Sequence, residues 1–238
     1  EGESLYERAT YILQYCDELQ ADYSSISRVR PPLRIGIPPM LSTLFFPELL
    51  TAFQEGYPDI PIILEEYGSV RACNLVQNDT LDLGLVNMEQ YNIDKFNNTL
   101  LATDQIVFCI SDSHRLAKKE AVTTQEMARE PLIFFNADSV LNQILKNRFE
   151  VDGYTPNVIM RCSQIYTTLQ FLKTGKYGCF LFSSMTDKFS DVIGIPLKNP
   201  IRIKIGMVWK KGKYMSNDMQ VFLNFTQRYY KEHPLTGF

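Results

Sequence analysis

Residues 33–87 read LRIGIPPMLSTLFFPELLTAFQEGYPDIPIILEEYGSVRACNLVQNDTLDLGLVN. Short apolar runs alternate here with helical patterns, the sequence form of a βαβαβ unit. Leu33-Arg34-Ile35-Gly36-Ile37 is a buried strand, closed by Pro38-Pro39 because proline cannot donate to a ladder. Leu44, Phe45, Leu49, Leu50 and Phe53 then recur at helical spacing, and Gly56 ends that helix. Pro58-Asp59 turns the chain into a strand over 60–67. Gly68-Ser69 turns it again into a helix carrying Val70, Cys73, Leu75 and Val76. Asn78-Asp79 breaks the helix before a third strand at 81–86.

Parallel strands joined this way need crossover helices, and ligands bind beyond the carboxyl ends of such strands. Those ends are Pro38 to Ser42, Gly68-Ser69 and Asn87. Two of the junctions are also helix N-termini, whose free N–H groups and partial positive charge suit an anion or carboxylate. The stretch therefore predicts a small-molecule cleft rather than a nucleic-acid surface.

The whole chain has 238 residues, enough for two lobes, with 45% apolar and 21% charged residues. A net charge of -3 argues against a main nucleic-acid contact, which needs clustered Lys and Arg. No apolar run approaches the ~20 residues of a membrane span, and EGESLYERAT lacks a signal-peptide pattern, so the expectation is a cytoplasmic protein with no membrane partner. The five cysteines (Cys16, Cys73, Cys109, Cys162, Cys179) have no metal-site spacing, and four sit in apolar patterns as small hydrophobes, which fits a reducing compartment.

Upstream, Leu5, Ala9, Ile12, Cys16, Leu19, Tyr23 and Ile26 alternate steps of four and three, a coiled-coil seam within a helix from Ser4 to Ser27. Ser4 and Glu7 fit a capping box. The seam pairs with another chain or packs on its own globule; pairing is the preferred reading. Downstream, Met88 to Thr99 is a polar loop and Leu100 to Ile110 a long strand that leaves the first lobe. A short helix follows at 124–127, then a strand at 131–136, a helix at 140–149 and a strand at 157–162. Ser163 caps a helix over 165–173, stopped by Gly175. Cys179 to Phe182 is a buried strand opening a polar loop at Ser183-Ser184. Strands at 193–197 and 201–209 come next, the second alternating with basic residues on one face, as an exposed or edge strand would, and a helix at 217–230 closes the chain. This final strand and helix return to the first lobe, giving two crossings and a hinge.

In that order and spacing, the chain resembles the effector-binding part of LysR-type transcriptional regulators. The resemblance rests on Leu33-Arg34-Ile35-Gly36, on Phe46-Pro47-Glu48-Leu49-Leu50 with Phe53, and on Tyr57-Pro58-Asp59-Ile60. It rests also on Leu75-Val76 through Thr80-Leu81-Asp82-Leu83-Gly84-Leu85, with Asn78 in place of a usual Gly, and on His114-Arg115-Leu116-Ala117, with Arg115 in place of a usual Pro. The resemblance implies an α/β fold of two Rossmann-like lobes with a hinge, the type 2 periplasmic-binding-protein fold, preceded by a long linker helix. The implied division is 1–30 linker and dimerisation helix, 31–102 with 202–238 as one subdomain, and 103–201 as the other. It implies a small effector, an organic acid or another small metabolite, between the lobes. It also implies a homodimer or homotetramer, and DNA contact through a winged helix-turn-helix upstream of Glu1.

Carried over by position, Pro39, Met40, Leu41, Ser42 and Ser69, with Asn87, line the first lobe's side; Phe135, Asn136, Ser163, Gln164 and Phe182 line the second. Where the family commonly has Pro this chain has Phe182, and Met40 stands where it has a polar residue. Both make the cleft more apolar and weigh against a purely carboxylate effector. Ser42 and Ser69 also suit plain helix caps, Met40 and Phe182 plain core, and His114 a structural role. The alternatives are a solute-binding protein of a transport system, of the same fold, and an enzyme. Against an enzyme, the chain has two His, no G-x-S-x-G, no P-loop and no metal pattern. No cofactor is expected.

Overall fold

The computed structural model describes residues 2–24, 30–89, 93–137 and 139–234, without the side chains of 3, 4 and 20–24. Helix α1 spans Gly2–Ser24. It begins before Ser4, so Ser4 is not its N-cap, and the Ser4 side chain, the Tyr23 side chain and Ile26 lie outside the described residues. Leu5, Ala9, Ile12, Cys16 and Leu19 are all exposed, which overturns packing of that seam on the chain's own globule. The first lobe follows in the expected order: β1 (Leu33–Ile37), α2 (Pro39–Gly56), β2 (Ile62–Glu66), α3 (Ser69–Gln77) and β3 (Leu83–Asn87). Strand β1 lies between β2 and β3, parallel to both. A Cβ on Gly36 would sit 2.5 Å from a Leu81 methyl and 3.3 Å from the Ala72 Cβ, so any larger residue in β1 would have to displace the buried Leu81 side chain at the entry to β3.

The polar loop expected over 88–99 is shorter than the sequence suggests. A 3-10 turn occupies Ile93–Lys95, and β4 begins at Phe96 and runs to Ser111. Strand β4 pairs antiparallel with β8 (Val192–Lys210) from Phe96 opposite Lys210 onward, and that ladder overrides the polarity of Asn97 and Asn98. In the other half, α4 (Thr124–Ala128) opens on a capping box between Thr123 and Glu126, and β5 (Leu132–Phe134), α5 (Val140–Val151), β6 (Val158–Arg161), α6 (Ile165–Leu172) and β7 (Cys179–Phe182) follow. Strand β5 is parallel to β6 and bridges Gly178 at the start of β7, which runs antiparallel to β4. Each half is thus a sheet with helices, and β4 and β8 run through both.

Three local expectations are corrected. The strands at 193–197 and 201–209 are one element, β8, and it is no edge: it lies between β3 and β4. Its alternation arises because Arg202 and Lys204 lie on an exposed face of the crossing, opposite Gln105 and Thr103, whereas 205–208 are buried throughout. Ser183-Ser184 opens the short helix α7 (Ser183–Thr186) rather than a loop. Ser163 does not cap α6; Gln164 holds the N-cap position, its side chain accepting the Thr167 hydroxyl at 3.1 Å rather than a capping backbone N–H, and Ser163 Oγ instead accepts the Asn136 N–H at 3.4 Å.

Helix α8 (Asn217–Glu232) returns to the first lobe, as expected. Phe222 meets Phe53 edge to face at 4.9 Å, Tyr230 meets Phe45 at 4.9 Å, and the Tyr230 hydroxyl donates to the Phe45 carbonyl at 2.6 Å. In the other half Phe108, Phe134 and Phe149 gather about Phe180, with centroids 5.5–6.3 Å away. Such buried aromatic clusters fix the helices against the sheets, and hence fix where the strand ends open.

Candidate ligand-binding site

A cavity of about 210 Å³ opens between the two halves at the carboxyl ends of their strands. Three helices aim their first turns at it: α2 at Met40 and Leu41, α3 at Ser69, and α5 at Val140 and Leu141. The first helical bonds fall on Ser42, Ala72 and Gln143, so the earlier N–H groups have no partner within their helices. A site ringed this way attracts negative charge.

The hydroxyls have defined roles. Ser69 Oγ accepts the Asn87 N–H at 3.2 Å, and Ser163 Oγ accepts the Asn136 N–H. Each hydroxyl therefore keeps its own proton to donate, one from each half. Asn87 Oδ1 accepts the Glu89 N–H at 3.0 Å, which leaves the Asn87 amide nitrogen as a donor. Ser69 and Asn87 are both buried, at 4% and 5% exposure, so these donors are costly to leave unmatched. The apolar side is Met40, Leu41, Phe135, Val140, Leu141 and Phe182.

Nine of the expected residues come together here: Pro39, Met40, Leu41, Ser69, Asn87, Phe135, Asn136, Ser163 and Phe182. Met40 and Phe182 serve both readings, since they are core residues whose surfaces also line the cavity. Ser69 is not a helix cap, because Gly68 holds that place and no side chain caps α3. Ser42 lies within α2, outside the lining; its hydroxyl is within reach of the Pro39 carbonyl at 2.8 Å and of the Glu66 carboxylate. Gln164 also lies outside, exposed at the α6 N-cap. Glu66, Tyr67, Arg71 and Ser139 line the cavity without having been expected. The Arg71 guanidinium stacks on the Tyr67 ring at 4.7 Å, and the Tyr67 hydroxyl donates to Glu65, a bond that raises its pKa above the ordinary phenol value. Ser139 could have been found, because the rule that located the α2 and α3 junctions applies equally to β5 and α5.

Other ionisable groups are absorbed by structure. His114 is buried beside Glu130, with Nε2 3.2 Å from the carboxylate, and its Nδ1 accepts the Leu116 N–H, so the ring is locked in place as the structural reading of His114 expects. Asp104 is buried where β4 meets α7; burial raises its pKa, against the Ser184 hydroxyl bond that lowers it. Cys109 and Cys179 are register partners on β4 and β7 and are buried, and burial pushes the Cys73 thiol up to about 12. All five cysteines are free; Cys16 is exposed on α1. Among the described residues no cluster of three or more His, Cys, Asp or Glu could hold a metal ion, and no helix is long and apolar enough to cross a membrane. A second hollow, of about 340 Å³, lies beside α4 between Thr124, Arg148, Tyr154 and Lys198, away from the strand ends that face each other.

A family model for the LysR substrate binding domain matches residues 27–231, and the chain belongs to this family. It is 30% identical over 201 residues to the uncharacterized HTH-type transcriptional regulator YwbI of Bacillus subtilis (strain 168), covering 83% of this chain and 66% of that one. The chain thus spans about two thirds of that relative's length. Among solved structures, the regulatory domain of Synechocystis PCC6803 CcmR in complex with 2-PG superposes with a TM-score of 0.76 at 20% identity, covering 84% of this chain and 97% of that one. The effector binding domain of QuiR in complex with shikimate gives 0.73 at 19% identity, over 86% and 99%. At such identities these two likenesses show the fold alone, and that fold is the two-lobed periplasmic-binding-protein type with a hinge. Family membership decides for the effector-binding domain of a LysR-type regulator over the solute-binding protein of a transporter.

Proposed function

We propose that this domain holds a small polar metabolite in the cavity between the lobes, and that occupancy shifts the balance between two lobe arrangements. The observation that carries the reading is the pairing of donors across the cleft: Ser69 and Asn87 on one side, Ser163 on the other, each with a proton to give. CcmR and QuiR, whose structures hold 2-PG and shikimate, lend support from the same fold. The lobes divide as 31–102 with 202–238 and 103–201, with residues 1–30 as the linker. The change passes through α1 to a DNA-binding part upstream, in a cytoplasmic homodimer or homotetramer paired along the α1 seam. The exposed seam supports that assembly, since an apolar helix face left in water is an unmet driving force for association. Chemistry on the ligand has no part in the reading: the Ser69 and Ser163 oxygens are engaged by backbone N–H groups, with no histidine lining the cavity.

A thermal-shift screen against small carboxylates, amino acids and sugar phosphates tests this, because a ligand at a hundredfold excess over its Kd adds ~2.7 kcal/mol of stability. Ser69→Ala is then expected to weaken the best compound about tenfold, the worth of one buried hydrogen bond, with little change in unliganded Tm. An unchanged Kd removes Ser69 from the site.

A further inference from the structure

The lining carries two opposite charges that no ion pair among the described residues neutralises. Glu66 stands at the carboxyl end of β2 and Arg71 in the first turn of α3, both at the exposed mouth of the same cavity. Among the described residues neither belongs to an ion pair, with the other or with any other charge. Both are nevertheless held in position. The Ser42 hydroxyl reaches the Glu66 carboxylate, and Arg71 lies 4.7 Å over the Tyr67 ring, which leaves the edge of its guanidinium for a ligand.

A simple carboxylate would gain Arg71 and the helix N-termini but would also meet the Glu66 charge. A simple amine would gain Glu66 and meet Arg71 and three positive helix ends. A ligand with both charges satisfies both residues at once. The rest of the lining sets its third group: Met40, Leu41, Phe135, Val140, Leu141 and Phe182 form an apolar wall, with no further charge among the described lining residues. The cavity, at about 210 Å³, is also smaller than the ~300–1,000 Å³ of sites for drug-sized ligands, so the occupant is a small metabolite.

We infer that the ligand is a zwitterion, an α-amino acid with an apolar side chain. Its carboxylate meets Arg71, the Ser69 hydroxyl and the N-terminus of α3; its ammonium meets Glu66; its side chain lies against Met40 and Phe182. This rests on the proposed role of the cavity and adds the chemical class of what fills it.

Isothermal titration of the chain separates the two. The probes are L-leucine, L-methionine and L-phenylalanine, the matching 2-oxo acids, and the matching amines without a carboxylate. At least one amino acid is expected to bind, with its oxo acid and its amine each weaker by about tenfold or more, the cost of losing one charge-assisted bond. Glu66→Gln keeps an acceptor for Ser42, and is expected to weaken the amino acid and strengthen the oxo acid, from which it removes a like charge, so that the preference for the amino acid is erased. Arg71→Gln is expected to weaken both acids. If an oxo acid binds as well as its amino acid, the zwitterion inference fails and the cavity remains a ligand site. If none of the panel binds, the inference also fails, and the cavity's role is judged separately by the wider screen of carboxylates and sugar phosphates.

Discussion

Phe222→Ala is expected to lower the stability of the chain by about 3–5 kcal/mol, the usual cost of emptying a fully buried phenylalanine site. Phe222 has no exposed surface and joins α8 to α2, with its ring 4.9 Å from Phe53 and 6.5 Å from Phe46. The neighbours cannot close the gap cheaply, because Phe53 is itself held by Tyr57 at 5.0 Å and by Phe225 at 5.3 Å. The change also bears on function, since α2 presents Met40 and Leu41 to the cavity and α8 is its support from behind. Urea denaturation followed by circular dichroism measures the loss; a shift below about 1 kcal/mol would mean that α8 does not carry the first lobe.

The second large effect is on assembly. Ile12→Glu combined with Leu19→Glu is expected to weaken self-association by about a hundredfold or more, since charges placed in an apolar seam must be desolvated in every chain that pairs. Ile12 is 64% exposed and Leu19 43% exposed in the single chain, so the changes remove no packing from the lobes. The melting temperature of the lobes at low protein concentration should therefore hold while sedimentation moves toward the monomer. An assembly that survives both charges would place the contact elsewhere and leave α1 without its proposed role.

How far the sequence went differs from element to element. The run from β1 to β3 was legible because each strand is short and apolar and each helix has one apolar face, so period and punctuation agree. The hinge was not. Strands β4 and β8 pass through both lobes, and their exposure changes along their length: Arg202 and Lys204 suggested an edge where the strand is central. Asn97 and Asn98 looked like loop and are strand, because pairing with β8 outweighs local polarity. The cavity was legible where the rule for strand ends was applied, at Met40, Ser69 and Asn87. Glu66 and Arg71 escaped because a charged residue at a strand end or on a helix's polar face looks like ordinary surface; only the fold brings them to one mouth. Ser69 and Ser163 were singled out, but their bonds to the Asn87 and Asn136 N–H groups join residues 18 and 27 positions apart and are set by tertiary contact.

The central claim is that the ligand sits between the lobes and touches both. Hydrogen exchange of the chain, with and without the compound that raises its Tm most, tests it directly. Ligand-dependent protection is predicted at 66–71 and 87 together with 135–141 and 163. Protection confined to the second hollow near 122–127 and 197–199, or to one lobe alone, would contradict it.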